Sequence, residues 1–332
     1  MEKKIIIFGI TGQDGSLLAK SLIKKKFKVI GITRNKNKIN LKNIYKLKIS
    51  DLISLIEQRK ISYKSIYQII TSINPIQIYN LSAQSSVSKS FNFPLETHKS
   101  IYDLNLFILE TLRELKNKTK IKYFNACSGE CYGNIKSGIA NELTKFNPLS
   151  PYAISKISSY YLVKNYRKQF DIFASNGILF NHESVLRDDF YVTKKIIKGA
   201  VNISLKKTDS LLLGNLNIYR DWGWAPEYVE AIYKILNIKS PNDIIISTGK
   251  VNSIKSFIKI AFEEVGLNWK NYVEVSEKYI RKLDVLRSGG SPKKAKKLLK
   301  WESKSNLNQI VKNLINYEIK EQTTKNNYSF KS

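Results

Sequence analysis

The N-terminal segment constrains the fold more than any other part of the chain. A short apolar run rich in β-branched residues, KIIIFGI at 4–10, leads directly into TGQDG. Gly9, Gly12 and Gly15 stand at G-x-x-G-x-x-G spacing before a helix-forming stretch, SLLAKSLIKKK. Glycine at such positions permits a tight turn and a close backbone approach to a pyrophosphate, which the N-terminus of a helix then attracts. The pattern predicts a strand–turn–helix unit that binds a dinucleotide.

Later segments extend this pattern into a sheet. The run FKVIGITR at 27–34 completes a βαβ unit of about thirty residues. Two further runs, IYNLSAQS at 78–85 and IKYFNACS at 121–128, are typical of buried parallel strands that end in small polar residues. We therefore predict an α/β fold with a Rossmann-type, doubly wound parallel sheet that binds its ligands at the carboxyl ends of the strands. Residues 35–65 show only weak patterning.

The length of 332 residues fits two closely joined domains. We predict a nucleotide-binding Rossmann domain that carries the catalytic residues over 1–180. A smaller, mixed α/β substrate-binding domain is predicted over 181–320, with some segments returning to the first sheet. Residues 321–332 are predicted to form a polar tail, frayed from about residue 318.

The composition excludes several classes of protein. No apolar run approaches the roughly 18 residues of a membrane span, and the first apolar run is too short for a signal peptide. Cys127 and Cys131 lack partners for a zinc site because the chain has only two histidines, so no metal is expected and a reducing cytoplasm is the natural setting. The net charge of +29 could serve a nucleic acid. The basic residues are spread along a chain rich in Lys, Ile and Asn, which favours a composition bias instead.

The end of the second predicted strand bears on the choice of dinucleotide. A site for NAD usually has Asp or Glu at this point, where the carboxylate binds the ribose hydroxyls. Here the strand ends in Arg34, and Asn35 and Lys36 follow it. Because a basic residue suits a 2′-phosphate, the sequence favours NADP.

Two strings within 123–156 suggest the chemistry. In PLSPYAISK, Tyr152 and Lys156 stand four residues apart, so they share one helix face. An ammonium group beside the hydroxyl lowers the pKa of a tyrosine and makes it a base for a sugar hydroxyl. In ACSGECYG, Ser128 can orient that hydroxyl and Glu130 supplies a second acid/base group. Two proton-handling groups beside a nucleotide fold suggest an oxidation that is coupled to an elimination.

The chain resembles the GDP-mannose 4,6-dehydratase family of extended short-chain dehydrogenases/reductases. The resemblance covers about residues 4–315 and rests on GITGQDGSLLA, IYNLSAQSSV, ACSGECYG, SPYAISK, NGILFNHES, RDWGWAPEYVEA and RSGGSPKKAKKLLKW. Relatives that epimerise or reduce nucleotide sugars share the glycine turn and the Tyr–Lys pair, but they generally lack a glutamate at the position of Glu130. The Arg-rich loop that the family has after the second strand is NKNKINLKN here.

The resemblance also implies roles for individual residues. Its catalytic positions are Ser128, Glu130, Tyr152 and Lys156, with Ser128 where threonine is usual. Its cofactor-binding positions are Gly9, Ile10, Thr11, Gly12, Gln13, Asp14, Gly15, Arg34, Leu81, Ala83, Gln84, Ser85, Tyr152, Lys156, His182 and Arg187. Its substrate-binding positions are Ser85, Asn181, Lys195, Arg220 and Arg281.

The implied activity is that of a lyase with tightly bound, recycled NADP. GDP-mannose would lose water and become GDP-4-keto-6-deoxymannose. GDP-manno-heptose stays open as the substrate, as does an epimerase or reductase of the same group. A basic binding protein without turnover is disfavoured by the retained catalytic residues. A cytoplasmic homo-oligomer, either a dimer or a tetramer, is expected, and neither a membrane nor a nucleic acid is expected as a partner.

Overall fold

A seven-stranded parallel sheet forms the centre of the first lobe. The computed structural model describes residues 2–135, 138–280 and 283–329. In chain order the strands of this sheet are β1 (Lys4–Phe8), β2 (Lys28–Thr33), β3 (Ile53–Glu57), β4 (Gln77–Asn80), β5 (Lys122–Ser128), β6 (Ala174–Leu179) and β10 (Asp243–Ile246). Across the sheet they lie in the order β3–β2–β1–β4–β5–β6–β10. The strand order reverses between β1 and β4, so the doubly wound α/β fold predicted from the sequence is confirmed.

Helices cover both faces of this sheet. On one face lie α1 (Gln13–Lys24), α2 (Lys42–Lys46), α8 (Ala225–Ile235) and α10 (Lys293–Leu299). On the other face lie α3 (Tyr63–Ile73), α5 (Pro94–Leu115) and α6 (Pro151–Phe170), and the short α4 (Val87–Asn92) precedes α5. The inner strands are buried on both sides and rich in isoleucine, as expected for a parallel sheet between two helical layers.

The second lobe has its own apolar core. One sheet contains β7 (Asn181–Glu183), β9 (Tyr219–Trp224), β11 (Val251–Ser253) and β13 (Arg287–Ser288), and β8 (Leu211–Leu213) pairs with β12 (Val273–Val275). The helices α7 (Val192–Ser204), α9 (Ile254–Glu263) and α11 (Leu307–Ser329) pack around them. The helix α11 continues to Ser329, although the chain beyond about residue 318 was expected to be frayed.

The two lobes share one sheet. The strand β10 follows the first strands of the second lobe in the chain, yet it pairs with β6 at the edge of the first sheet. The Arg167 guanidinium on α6 donates two hydrogen bonds to Asp243 on β10, at 2.9 and 2.6 Å. Part of the chain that follows the first strands of the second lobe therefore lies in the first sheet.

Residues 35–65 form regular structure despite their weak sequence pattern. They contain α2 and the edge strand β3, which pairs only with β2. The side chains of β3 are mostly half-buried, because an edge strand has one neighbour instead of two. Among the helices that the structure describes, none is long and apolar enough to cross a membrane.

Candidate active site

The glycine turn between β1 and α1 forms an open cradle. Gly9 has a φ of +78°, and a Cβ there would lie 2.8 Å from the backbone of Leu81. A Cβ on Gly15 would lie 2.2 Å from the Gly9 carbonyl oxygen. A Cβ on Gly12 would meet only the Gly9 carbonyl oxygen, at 3.4 Å. Two glycines are therefore required by packing, whereas Gly12 faces open space at the N-terminus of α1, where a pyrophosphate fits.

A buried ion pair lies beside this cradle. The His182 Nε2 atom is 2.9 Å from the Asp14 carboxylate, and Nδ1 is 2.6 Å from the Phe180 carbonyl oxygen. Because a carbonyl oxygen and an ionised carboxylate can only accept, this arrangement favours the doubly protonated, positively charged ring. Burial favours the neutral forms, but the mutual attraction raises the pKa of His182 and lowers that of Asp14. The predicted cofactor residues Asp14 and His182 thus join α1 to the start of the second lobe.

The remaining predicted cofactor residues lie at the carboxyl ends of β2 and β4 and after β7. Arg34 follows β2 and is exposed. The nearby Glu57 carboxylate at the end of β3 accepts a hydrogen bond from Arg59, at 2.5 Å, and one from the Lys36 backbone, at 3.2 Å. The predicted residues after β4 are in the loop that approaches Gly9, and they are Leu81, Ala83, Gln84 and Ser85.

The turn after β5 holds two predicted catalytic residues. Ser128 ends β5, and its Oγ accepts a hydrogen bond from the Glu130 backbone N–H at 3.2 Å. Gly133, with a φ of +59°, closes the turn by donating to the Glu130 carbonyl oxygen at 3.2 Å. A Cβ on Gly133 would lie 2.0 Å from the Asn147 carbonyl oxygen. The Glu130 side chain is half-buried at the end of the parallel sheet.

The other two predicted catalytic residues begin the helix α6. Ser150 caps this helix by accepting a hydrogen bond from the Ala153 backbone at 3.1 Å, which fixes Tyr152 in the first turn. Both Tyr152 and Lys156 are buried. Burial raises the pKa of Tyr152, and a hydrogen bond with Ser128 partly offsets this effect. The structure thus places Ser128 close enough to Tyr152 to affect its pKa.

The Lys156 ammonium is anchored at the end of β5. Its Nζ donates a hydrogen bond to the Ala126 carbonyl oxygen at 2.6 Å and lies 5.9 Å from the centre of the Tyr152 ring. A buried ammonium needs such an acceptor, because leaving it without a partner is costly. The expected lowering of the pKa of Tyr152 by this charge stays a prediction. Burial also lowers the pKa of Lys156 itself.

The predicted substrate residues Asn181, Lys195 and Arg220 lie in the second lobe. Lys195 places Nζ 3.9 Å from the centre of the Tyr279 ring, and the buried Arg220 is 3.5 Å from the Asp284 carboxylate. The predicted Arg281 lies outside the described residues. In the chain it stands between Tyr279 and Asp284, the two partners just named. Asn134, just after the turn that follows β5, joins that turn to described residues of the second lobe, because its Oδ1 accepts the Leu286 backbone N–H at 2.5 Å. Asn181 begins β7 and is half-buried.

Sequence reasoning missed Tyr191, which lies between the two lobes. Its hydroxyl is 2.7 Å from Ser85 Oγ, and its ring lies 3.7 Å from the guanidinium of the predicted cofactor residue Arg187. It also contributes to the raised pKa of Tyr152, the predicted catalytic tyrosine. The neighbouring Phe190 ring lies 5.2 Å from Lys89 on α4. A tyrosine just before a helix carries no distinctive local pattern, and only the fold brings it to Ser85.

Comparisons with known proteins identify the family of this chain. The family model described as GDP-mannose 4,6 dehydratase matches residues 6–314. This chain belongs to the GDP-mannose 4,6-dehydratase family. It is 38% identical to GDP-mannose 4,6 dehydratase 2 of Caenorhabditis elegans, over 96% of this chain and 90% of that protein. It is 37% identical to GDP-mannose 4,6 dehydratase of Dictyostelium discoideum, over 96% of each.

A solved structure shows the same fold. The UDP-glucose 4-epimerase of Thermotoga maritima, determined with UDP-glucose, superimposes with a TM-score of 0.84 at 22% identity, covering 96% of this chain and 99% of that one. At this identity the likeness concerns the fold alone. Within the described residues, no group of three or more His, Cys, Asp or Glu side chains is arranged to hold a metal ion.

Proposed function

We propose that this protein converts GDP-mannose to GDP-4-keto-6-deoxymannose and water. The observation that carries the proposal is the packing of the turn after β5, which holds Ser128 and Glu130, against α6, which holds Tyr152 and Lys156, in a chain of this family. The glutamate distinguishes the proposal from epimerisation, because an elimination needs a second acid/base group close to the first.

The side chains have separate tasks in this reaction. Tyr152 takes the proton of the sugar C4 hydroxyl, which Ser128 orients through its own hydroxyl. The ketone formed at C4 acidifies the proton on C5 and stabilises the developing enolate. Glu130 removes the C5 proton and assists the loss of the C6 hydroxyl as water. Because burial raises the pKa of Tyr152, the positive charge of Lys156 is needed nearby to favour the phenolate.

The proposed cofactor is NADP, and the described residues fit it. When bound, NADP supplies a hydride acceptor that takes the hydride from C4 and returns it at C6, so none is consumed. The cradle at Gly12 would hold the pyrophosphate. The exposed Arg34 would hold the 2′-phosphate, since the nearby Glu57 is engaged by Arg59.

The proposed assembly is a homo-oligomer. Several apolar side chains on α4, α5 and α6, and at the junction of α4 and α5, are exposed, although these helices pack on a fully formed sheet. They are Phe91, Phe93, Leu95, Ile154 and Tyr161. A second copy of the chain would cover them. Light scattering should give a multiple of the 38.2 kDa chain mass, and the double variant Ile154→Asp/Tyr161→Asp should give the monomer.

The first experiment incubates the purified protein with GDP-mannose and follows the product by mass spectrometry. We expect a product that is lighter by one water molecule. Glu130→Gln should lower the rate roughly 10²–10⁴-fold, as expected when a general base is removed. Glu274→Gln makes the same change of charge on the exposed side of β12 and should leave the rate unchanged. A product of unchanged mass would contradict the dehydratase proposal and favour an epimerase.

Two further measurements test which sugar nucleotide is the substrate and which dinucleotide is the cofactor. If GDP-mannose is not turned over, GDP-manno-heptose is the next substrate to be tested with the same readout. The nucleotide released by denaturing the purified protein should be NADP, and Arg34→Asp should weaken NADP binding more than NAD binding in a fluorescence titration. Equal weakening of both would show that Arg34 does not bind the 2′-phosphate.

A further inference from the structure

Two thiols that the proposed mechanism does not use lie next to the catalytic turn. Cys127 and Cys131 are the only cysteines in the sequence, and both are buried and free. Their Sγ atoms are 3.7 Å apart, and Ser128 and Glu130 lie between them in the chain. We propose that Cys127 and Cys131 form a reversible internal disulfide that switches the enzyme off. The effect on turnover rests on the proposed function, whereas formation of the disulfide does not.

The surroundings divide the two thiols into an attacking and a resolving group. Burial disfavours both thiolates, but the contact with Cys131 and the charge of Lys156 lower the pKa of Cys127. Burial and the neighbouring Cys127 raise the pKa of Cys131. The Lys156 ammonium also binds the carbonyl oxygen of Ala126, the residue next to Cys127, so its charge favours the Cys127 thiolate. Since the thiolate is the nucleophile, Cys127 reacts first. In a reducing compartment, such pairs usually have a redox-sensing or catalytic role and are not permanent staples.

The reaction balances with a peroxide as the oxidant. The Cys127 thiolate attacks one peroxide oxygen and breaks the O–O bond, which gives a sulfenic acid and a hydroxide that takes a proton to become water. The Cys131 sulfur then attacks the sulfenic sulfur, loses its proton and releases a second water. Two thiols and one hydrogen peroxide thus become one disulfide and two waters. A small-molecule dithiol reverses the change by exchange.

The disulfide would alter the catalytic geometry on both sides of the turn. The two sulfurs must approach from 3.7 Å to about 2.0 Å. Cys131 Sγ now lies 3.8 Å from the Ala153 carbonyl oxygen and Cys127 Sγ lies 3.9 Å from that of Lys156, both on the catalytic helix α6. Closing the bond pulls the turn away from these contacts. The hydrogen bond from the Glu130 backbone to Ser128 lies inside the closed ring, so the acid/base group moves relative to α6.

The chemical test needs no substrate. A single tryptic peptide, residues 123–136, contains both cysteines. After treatment of the native protein with hydrogen peroxide and alkylation in denaturant, this peptide should be lighter by two hydrogen atoms and carry no alkyl group, in protein that stays monomeric on a non-reducing gel. Dithiothreitol should restore two alkylation sites. A peptide that keeps both sites, or loses them only in cross-linked chains, would overturn the proposal.

Two single variants assign the roles. Cys131→Ala should stop at the sulfenic acid on Cys127, which a dimedone-type reagent traps, whereas Cys127→Ala should remain unlabelled. Equal labelling of both would overturn the assignment of Cys127 as the attacking thiol.

In the same oxidised wild-type sample, GDP-mannose turnover should fall at least ten-fold and recover with dithiothreitol. A disulfide formed with undiminished turnover would overturn the switch. If the reduced protein shows no turnover before any oxidant is added, the proposed function has failed, and this outcome is distinct from failure of the switch.

Discussion

Lys194 on α7 and Glu318 on α11 form a buried ion pair. Removing one partner should destabilise the fold strongly, whereas replacing both partners with apolar residues should cost little stability. The two charged atoms are 2.7 Å apart, and the side chains are 9% and 5% exposed. Gln322 donates a hydrogen bond to the other carboxylate oxygen at 3.1 Å. The variant Glu318→Leu leaves an ammonium buried without a partner, which costs about 3–5 kcal/mol. The double variant with Lys194→Met removes both charges and should recover most of that loss.

Urea unfolding of the second lobe measures these differences in the free energy of unfolding between the variants. With an m value of about 2–3 kcal/mol/M, Glu318→Leu should lower the midpoint by roughly 1–2 M. Lys198 and Asp189 provide the control, because they are also 2.7 Å apart but 34% and 67% exposed. Lys198→Met should change the stability by only about 0–1 kcal/mol. If Glu318→Leu cost no more than this control, the pair would not be desolvated in solution and the reasoning would be refuted.

Three further predictions concern the cofactor cradle and the cleft. Gly15→Ala should destabilise the fold, since its Cβ would lie 2.2 Å from a backbone oxygen, whereas Gly12→Ala should keep the melting temperature but weaken dinucleotide binding in a titration. Tyr191→Phe keeps the ring over its guanidinium but loses the hydroxyl contact, so KM for the sugar nucleotide should rise several-fold with little change in the melting temperature. The pair of Asp14 and His182 should stabilise the fold most between about pH 4 and 6.5. Its contribution should be lost as the pH falls through the lowered pKa of the carboxyl and as it rises through the raised pKa of the imidazole, and a His182→Asn variant should show a flatter stability profile.

The sequence predicts most of the first sheet because its central strands are buried on both sides. Continuous apolar runs such as residues 4–10 and 121–128 record that burial directly. The edge strand β3 was not predicted, since its side chains are only partly covered and its pattern is correspondingly weak. Edge position, and not a lack of regular structure, explains why residues 35–65 were hard to interpret.

In the site, local motifs were predictable and contacts between distant segments were not. The spacing of Tyr152 and Lys156 places them on one helix face, but the carbonyl oxygen that binds the ammonium belongs to β5, about thirty residues earlier. Tyr191 reaches Ser85 across 106 positions of the chain. The charge on the His182 ring likewise depends on two acceptors brought together by the fold. Such properties follow from tertiary packing and leave no periodic signal in the sequence.

The pairing of β10 with β6 has a consequence for synthesis on the ribosome. While the chain is shorter than residue 246, β6 has no neighbour on its outer side and presents unpaired N–H and C=O groups. A nascent or truncated chain that ends near residue 180 would therefore expose a template for pairing with other chains. The nucleotide-binding lobe can be completed only after much of the second lobe has emerged. Exchange of lobes between homologues would have to transfer β10 together with the sheet that it completes.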